Sequence, residues 1–144
     1  MALTIEAIRE YCLRKGGKIT EEFPFGEDVL VFKVHGKMFL LTRLERRPFS
    51  INLKCDPELA VELRERYECV RPGYHMNKKY WNTVILDDSI PAREVLAMID
   101  HSYNQVMMTL SRRTRKRRQS LNSASSSGRR SAAQSSSSAR RRAG

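Results

Sequence analysis

Residues 111–144 contain no aspartate or glutamate. That absence excludes internal charge compensation in the last quarter of the chain. Eleven Lys and Arg stand there unopposed, and they account for the whole formal net charge of +11. Residues 1–110 carry sixteen basic and sixteen acidic side chains. The chain therefore reads as a charge-balanced body followed by a polycation that any polyanion attracts. Cysteine is scarce too. Cys12, Cys55 and Cys69 are odd in number and form no Cys-x-x-Cys pair, which argues against a disulfide framework and a zinc knuckle. Free buried thiols in a reducing compartment are expected. No apolar run approaches the roughly 18 residues of a membrane helix. Met1 to Glu10 holds Glu6 and Glu10 and lacks the apolar core of a signal peptide. A soluble cytoplasmic protein is predicted.

Catalytic patterns are missing as well. There is no glycine-rich phosphate loop, nucleophile elbow or Cys/His pairing. His35, His75 and His101 each lack a second His or Cys three or four residues away, so a metal site would need distant parts of the chain. Glu21-Glu22 and Asp87-Asp88 are adjacent acids, and neighbours on a strand point to opposite faces. No partner base is identifiable. These absences predict a protein that is not an enzyme and uses no metal or cofactor.

What is present fits one domain with a core of its own. Thr4 can cap a helix that ends at Gly16-Gly17. Ile19 to Phe23 and Val29 to Val34 read as strands, and His35-Gly36-Lys37 as a tight turn with Gly36 at positive φ. Met38 to Thr42 returns as the partner strand, and Phe49 to Leu53 alternates like a half-buried one. Asp56-Pro57-Glu58 starts a helix with an N-cap acid and a first-turn proline. Pro72-Gly73 ends that region. Tyr80 to Leu86 is the last strand, and Val95, Ile99, Tyr103, Val106 and Leu110 mark the apolar stripe of a final helix. Sequential strands joined by short turns predict an α+β fold: a two-layer antiparallel sheet with helices packed on one face.

From Ser111 composition changes: eleven of the remaining residues are Ser, ten are Arg, and Leu121 is the single large aliphatic. Such a segment cannot offset its ordering entropy by burial. We expect a body over residues 1–113 and a disordered basic tail over 114–144, with the final helix running a turn or two into the basic run before like-charge repulsion ends it.

Three regions carry candidate binding residues. In Tyr74-His75-Met76-Asn77-Lys78-Lys79-Tyr80-Trp81-Asn82, His75, Lys78 and Lys79 could meet phosphate, while Tyr80 or Trp81 could stack on a base. Core packing is the alternative for Trp81, the single tryptophan. A second cluster joins Arg43, Arg46 and Arg47, with Lys37 in the preceding turn and Lys54 beyond the next strand. This is where a winged protein touches DNA, and a solvated hairpin tip is its alternative. The third is Arg112, Arg113, Arg115, Lys116, Arg117 and Arg118 in the tail, which would give sequence-independent, salt-dependent binding. Acidic proteins are alternative partners of such a tail, and phosphorylation at Ser120 or Ser131 would subtract from its charge.

Several blocks resemble one family. Glu22-Phe23-Pro24-Phe25-Gly26, then Phe32 to Phe39, Ile51 to Cys55 with Pro57, Tyr74 to Val84, and Ser102-Tyr103 occur in the order seen in the MmcQ/YjbR family. The resemblance covers roughly residues 4–115. It implies a CyaY-like, secretion-chaperone-like sheet and DNA binding, probing duplex DNA through two hairpin projections, a "double wing". It implies no enzyme activity and no cofactor. Where the family often has His before the Trp, this chain has Tyr80. Two readings follow. One is a non-enzymatic DNA-binding protein of low sequence specificity. The other is a chaperone-like protein-interaction module with a tail for acidic partners.

Overall fold

A computed structural model of the chain describes residues 3–124, with side chains as far as Arg112. Three helices and six strands follow in the order α1 (Ile5–Leu13), β1 (Ile19–Glu22), β2 (Val29–Val34), β3 (Lys37–Arg43), β4 (Ser50–Lys54), α2 (Pro57–Arg66), β5 (Val70–Pro72), β6 (Trp81–Ile85) and α3 (Ala92–Ala124). The strands form one antiparallel sheet in the order β1-β2-β3-β4-β6-β5. The fold is α+β, as the strand sequence predicts.

Local signals act where expected. Thr4 accepts a hydrogen bond from the Ala7 N–H, and Asp56 accepts from the Glu58 and Leu59 N–H groups ahead of Pro57. The β2–β3 hairpin turns through His35 at φ 49° and Gly36 at φ 81°. Positive φ at both central residues matches the right-handed strand twist, and glycine reaches it without steric cost. One strand, β5, is not read from the sequence. It is three residues long, contains Pro72 and lies at the sheet edge, where a missing N–H is tolerated.

The helices share one face of the sheet. The hydroxyl of Ser102 in α3 is buried; it donates to the Phe39 carbonyl (2.5 Å) and accepts from the Lys54 N–H (2.8 Å). His101 Nε2 accepts from the Asp56 N–H at 3.1 Å. Asn82 donates to the Ala60 carbonyl of α2 at 3.4 Å, and its register partner is Leu53. Tyr11 of α1 donates to Asp100 of α3 at 2.7 Å, and Lys15 pairs with the same carboxylate. That bond pushes the Tyr11 phenol up to about 12. Phe32, Phe39, Leu40, Ile8, Ile51 and Ile99 fill the layer between. Cys12, Cys55 and Cys69 are free and buried, and burial raises the thiols of Cys12 and Cys55 to about 12 and about 11.

Burial also lowers the pKa of His101 below its ordinary 6.5. The unfolded chain therefore takes up a proton at higher pH than the folded one. Stability is complete above pH 6.5 and is lost as pH falls from there through the depressed folded value. Protonation would also remove the Nε2 lone pair that accepts from Asp56. We expect part of the acid-side loss in melting temperature below pH 6.5 to be absent in His101→Gln; an unchanged pH profile in that variant would refute this origin.

Elements up to Met108 form one compact unit, and the C-terminal part of α3 belongs to another. Helix α3 continues to Ala124. It runs further than the turn or two expected of the basic segment. Arg, Lys, Gln and Leu are good helix formers, and propagation adds a backbone bond per residue against the repulsion. The rest of the expected tail, 125–144, and the side chains of Arg113, Arg115, Lys116, Arg117 and Arg118 lie outside the described residues. Among the described residues, no helix is long and apolar enough to cross a membrane.

Candidate nucleic-acid interface

The side of the sheet away from the helices carries its own small apolar cluster. Val29, Val31 and Leu41 are buried there, with Met38 and Met76 packed against them. Val31 and Leu41 are register partners, and Leu41 also pairs with Asn52. Met76 comes from the connection between β5 and β6. The register roots that connection beside Trp81 and Lys54, at the end of the sheet opposite Arg43 and Ser50. The connection therefore does not project as a wing. It folds back across the sheet, where Met76 packs, partly buried, against the apolar cluster. This replaces the expected pair of neighbouring projections with one connection, residues 44–49, facing a folded loop.

Between them lies a groove of about 240 Å³. Arg43, Arg46 and Arg47 line one side, and Arg71 with Tyr74 the other; Asn52 and Thr83 lie at its base. No acidic residue lines it. The polar base is closed on itself: Thr83 Oγ1 donates to Asn52 Oδ1 (2.5 Å) and accepts from the Tyr74 N–H (2.9 Å). That second bond fixes the start of the folded loop. Gly73, just before it, has no room for a side chain, since a Cβ would lie 2.8 Å from the Trp81 Cβ and 3.0 Å from the Trp81 carbonyl oxygen. The guanidinium of Arg46 lies 3.9 Å from the Tyr74 ring centroid and that of Arg43 at 5.5 Å. Arg46, through hydrogen bonding and then charge, holds the Tyr74 phenol below its ordinary pKa. Arg47 Nη1 donates to the carbonyls of Leu44 (2.7 Å) and Arg46 (2.9 Å), and Arg71 Nε to that of Glu68 (3.1 Å). Arg43 Nη1 is buried and has no partner among the described residues.

Thus the groove brings together three of the expected cations and two residues not among them. Arg71 gives no signal of its own in sequence, sitting alone before Pro72-Gly73. Tyr74 reaches the arginines only through the back-folded loop. The other candidates lie elsewhere. Lys37 is exposed at the start of β3, about 20 Å from Arg43 at the strand rise per residue. Lys54 ends β4 beside Trp81. Lys78 Nζ donates to the Gly73 carbonyl, and Arg64 of α2 reaches the Lys78 carbonyl, tying the loop's far side to the helix layer. Lys79 lies over the exposed Tyr80 ring at 5.4 Å. His75 is exposed at φ 56°, its ring 3.9 Å from that of Tyr74. Trp81 is half-buried, between the two alternatives of core and free stacking. Arg112 is exposed.

The YjbR family model matches residues 16–105. The chain belongs to the YjbR family. The matched span contains all four groove arginines and Tyr74, and it stops before Arg112. Among YjbR relatives, the uncharacterized protein YjbR of Escherichia coli K12 is 35% identical over 116 residues, 79% of this chain and 96% of its own length. The uncharacterized protein YbdF of Escherichia coli O157:H7 is 41% identical over 94 residues, 65% of this chain and 77% of its own. A crystal structure of a Deinococcus radiodurans DUF419 protein superposes with a TM-score of 0.68 at 38% identity, covering 72% of this chain and 78% of that one. One from Pseudomonas syringae gives 0.60 at 27% identity, over 69% and 96%.

Proposed function

We propose that this YjbR protein is a non-enzymatic, cytoplasmic nucleic-acid-binding protein that holds the phosphate backbone of duplex DNA with low sequence specificity. One observation carries the reading. In a body whose charges balance, four arginines converge on a single groove with no acid in its lining. Guanidinium groups suit phosphate oxygens by their planar, multi-donor geometry. Backbone contacts of this kind carry no sequence information. Helix α2 is no reading helix for bases, since Glu58, Glu62 and Glu65 would repel phosphate. The basic segment from Arg112 to Arg118 adds electrostatic affinity of its own.

Salt titrations separate the two contributions. Changing Arg112, Arg113, Arg115, Lys116, Arg117 and Arg118 to Gln should flatten the slope of log K against log salt by about 0.9 for each phosphate the segment no longer neutralises. An unchanged slope would remove the basic segment from the mechanism.

A protein-interaction reading has one observation of its own. Phe23 and Phe25, on the connection after the edge strand β1, are 49% and 66% exposed. Exposed aromatics beside an unpaired strand edge suit a protein partner. Loss of a protein partner on Phe25→Ser, with DNA binding intact, would support it.

A further inference from the structure

The groove carries more positive charge than one link of a nucleic-acid backbone can use. An internal phosphodiester bears one negative charge. A terminal phosphate monoester bears about −1.5 to −2 at pH 7 and offers three strong acceptor oxygens. Four arginines and no acidic residue lining one recess match the second better than the first.

The donors support the same conclusion. Arg47 and Arg71 spend part of their five-donor set on the carbonyls of Leu44, Arg46 and Glu68, which fixes them and leaves further N–H groups. The hydroxyl and amide at the base bond each other, so Thr83 and Asn52 shape the floor more than they recruit a ligand. Arg43 lines the groove beside Arg46, its guanidinium 5.5 Å from the Tyr74 ring centroid; its Nη1 is closed to a water-sized atom and would meet a ligand oxygen only after a shift of the side chain. Arg46 on Tyr74 adds a flat cation–aromatic pair at the same groove, on which a base or sugar can rest.

We propose that the groove is a phosphate-monoester pocket, with Arg43, Arg46, Arg47 and Arg71 as its donors, taking the terminal phosphate of a nucleotide or of a nucleic-acid end. The inference rests on the groove as the phosphate-binding face and deepens that reading, but it does not require duplex binding there.

The test uses the full chain and four probes: inorganic phosphate, a nucleoside 5′-monophosphate, and one short single-stranded oligonucleotide with a 5′-phosphate or a 5′-hydroxyl. The basic segment responds only to the added charge of the 5′-phosphate, so the part of the difference that Arg43→Gln removes reports the pocket. The 5′-phosphorylated strand is expected to bind at least tenfold tighter at pH 7.5. The preference should shrink at pH 5.5, where the monoester is mostly monoanionic. Arg43→Gln should abolish it. Arg43→Lys, which keeps the charge but loses the planar donor geometry, should retain only part, with unchanged melting temperature. If Arg43→Gln fails to fold, Arg71→Gln, which should also weaken the preference, serves in its place. A mononucleotide matching the phosphorylated strand would name the free nucleotide as ligand; a much tighter strand would name the nucleic-acid end. Equal affinity for the two strands, with no competition by monophosphate or inorganic phosphate, overturns the proposal. If duplex binding still depended on the groove in that case, the backbone reading would stand alone. If monophosphate bound while duplex binding ignored the groove, the backbone reading would fail and the pocket remain.

Discussion

Changing Arg43, Arg46, Arg47 and Arg71 together to Gln should weaken binding of the full chain to unrelated duplexes by the same factor for each sequence. Contacts to phosphate fix register without reading bases, so their loss is indifferent to sequence. The salt slope should also flatten by about 0.9 for each phosphate the groove no longer neutralises. Arg46, Arg47 and Arg71 are exposed and Arg43 half-buried, all outside the apolar core, so the variant should still unfold cooperatively, at a somewhat lower temperature because its ring and carbonyl contacts are lost. Fluorescence anisotropy with two unrelated duplexes across a salt series reads both binding effects, and a thermal melt reads the third. A weakening confined to one sequence would mean that the groove reads bases.

Ser102→Ala should destabilise the fold markedly for the loss of a single atom. Its hydroxyl is fully buried and joins three elements, donating to the Phe39 carbonyl of β3 and accepting from the Lys54 N–H of β4. Alanine leaves one buried acceptor and one buried donor unmatched, at about 1–3 kcal/mol each. For a domain of this size each kcal/mol lowers the melting temperature by roughly 4–8 °C. Thermal unfolding followed by circular dichroism measures it, and a fall of less than about 2 °C would mean that the two groups find other partners.

Much of the fold is legible because its signals are local. Asp56 followed by Pro57 names a helix start by capping chemistry alone. Gly36 marks the β2–β3 turn by its backbone freedom, and Val29 to Val34 shows its β-branched run. The pairing of β4 with β6 across α2 is not legible in this way, since register between distant strands depends on the packed sheet. Of the site, Arg43, Arg46 and Arg47 are legible because they cluster in sequence. Arg71 and Tyr74 join them only because Met76 folds its loop onto Val29, Val31 and Leu41, a contact between segments more than thirty residues apart. The same folding moves Lys78 and Lys79 away from the arginines, although in sequence they make the more conspicuous pair. The length of α3 misleads for another reason. Charge repulsion along Arg112 to Arg118 is visible in sequence, while the backbone bonding that opposes it is not.

The most direct test isolates the groove from the basic segment in an otherwise intact chain. With all eleven Lys and Arg of residues 111–144 changed to Gln, duplex binding is measured at low salt, with and without the four groove changes. The account predicts that the first protein still binds, with a shallow salt slope, and that the groove changes abolish the remaining affinity while the fold persists. Retained binding after the groove changes, or none before them, would contradict it.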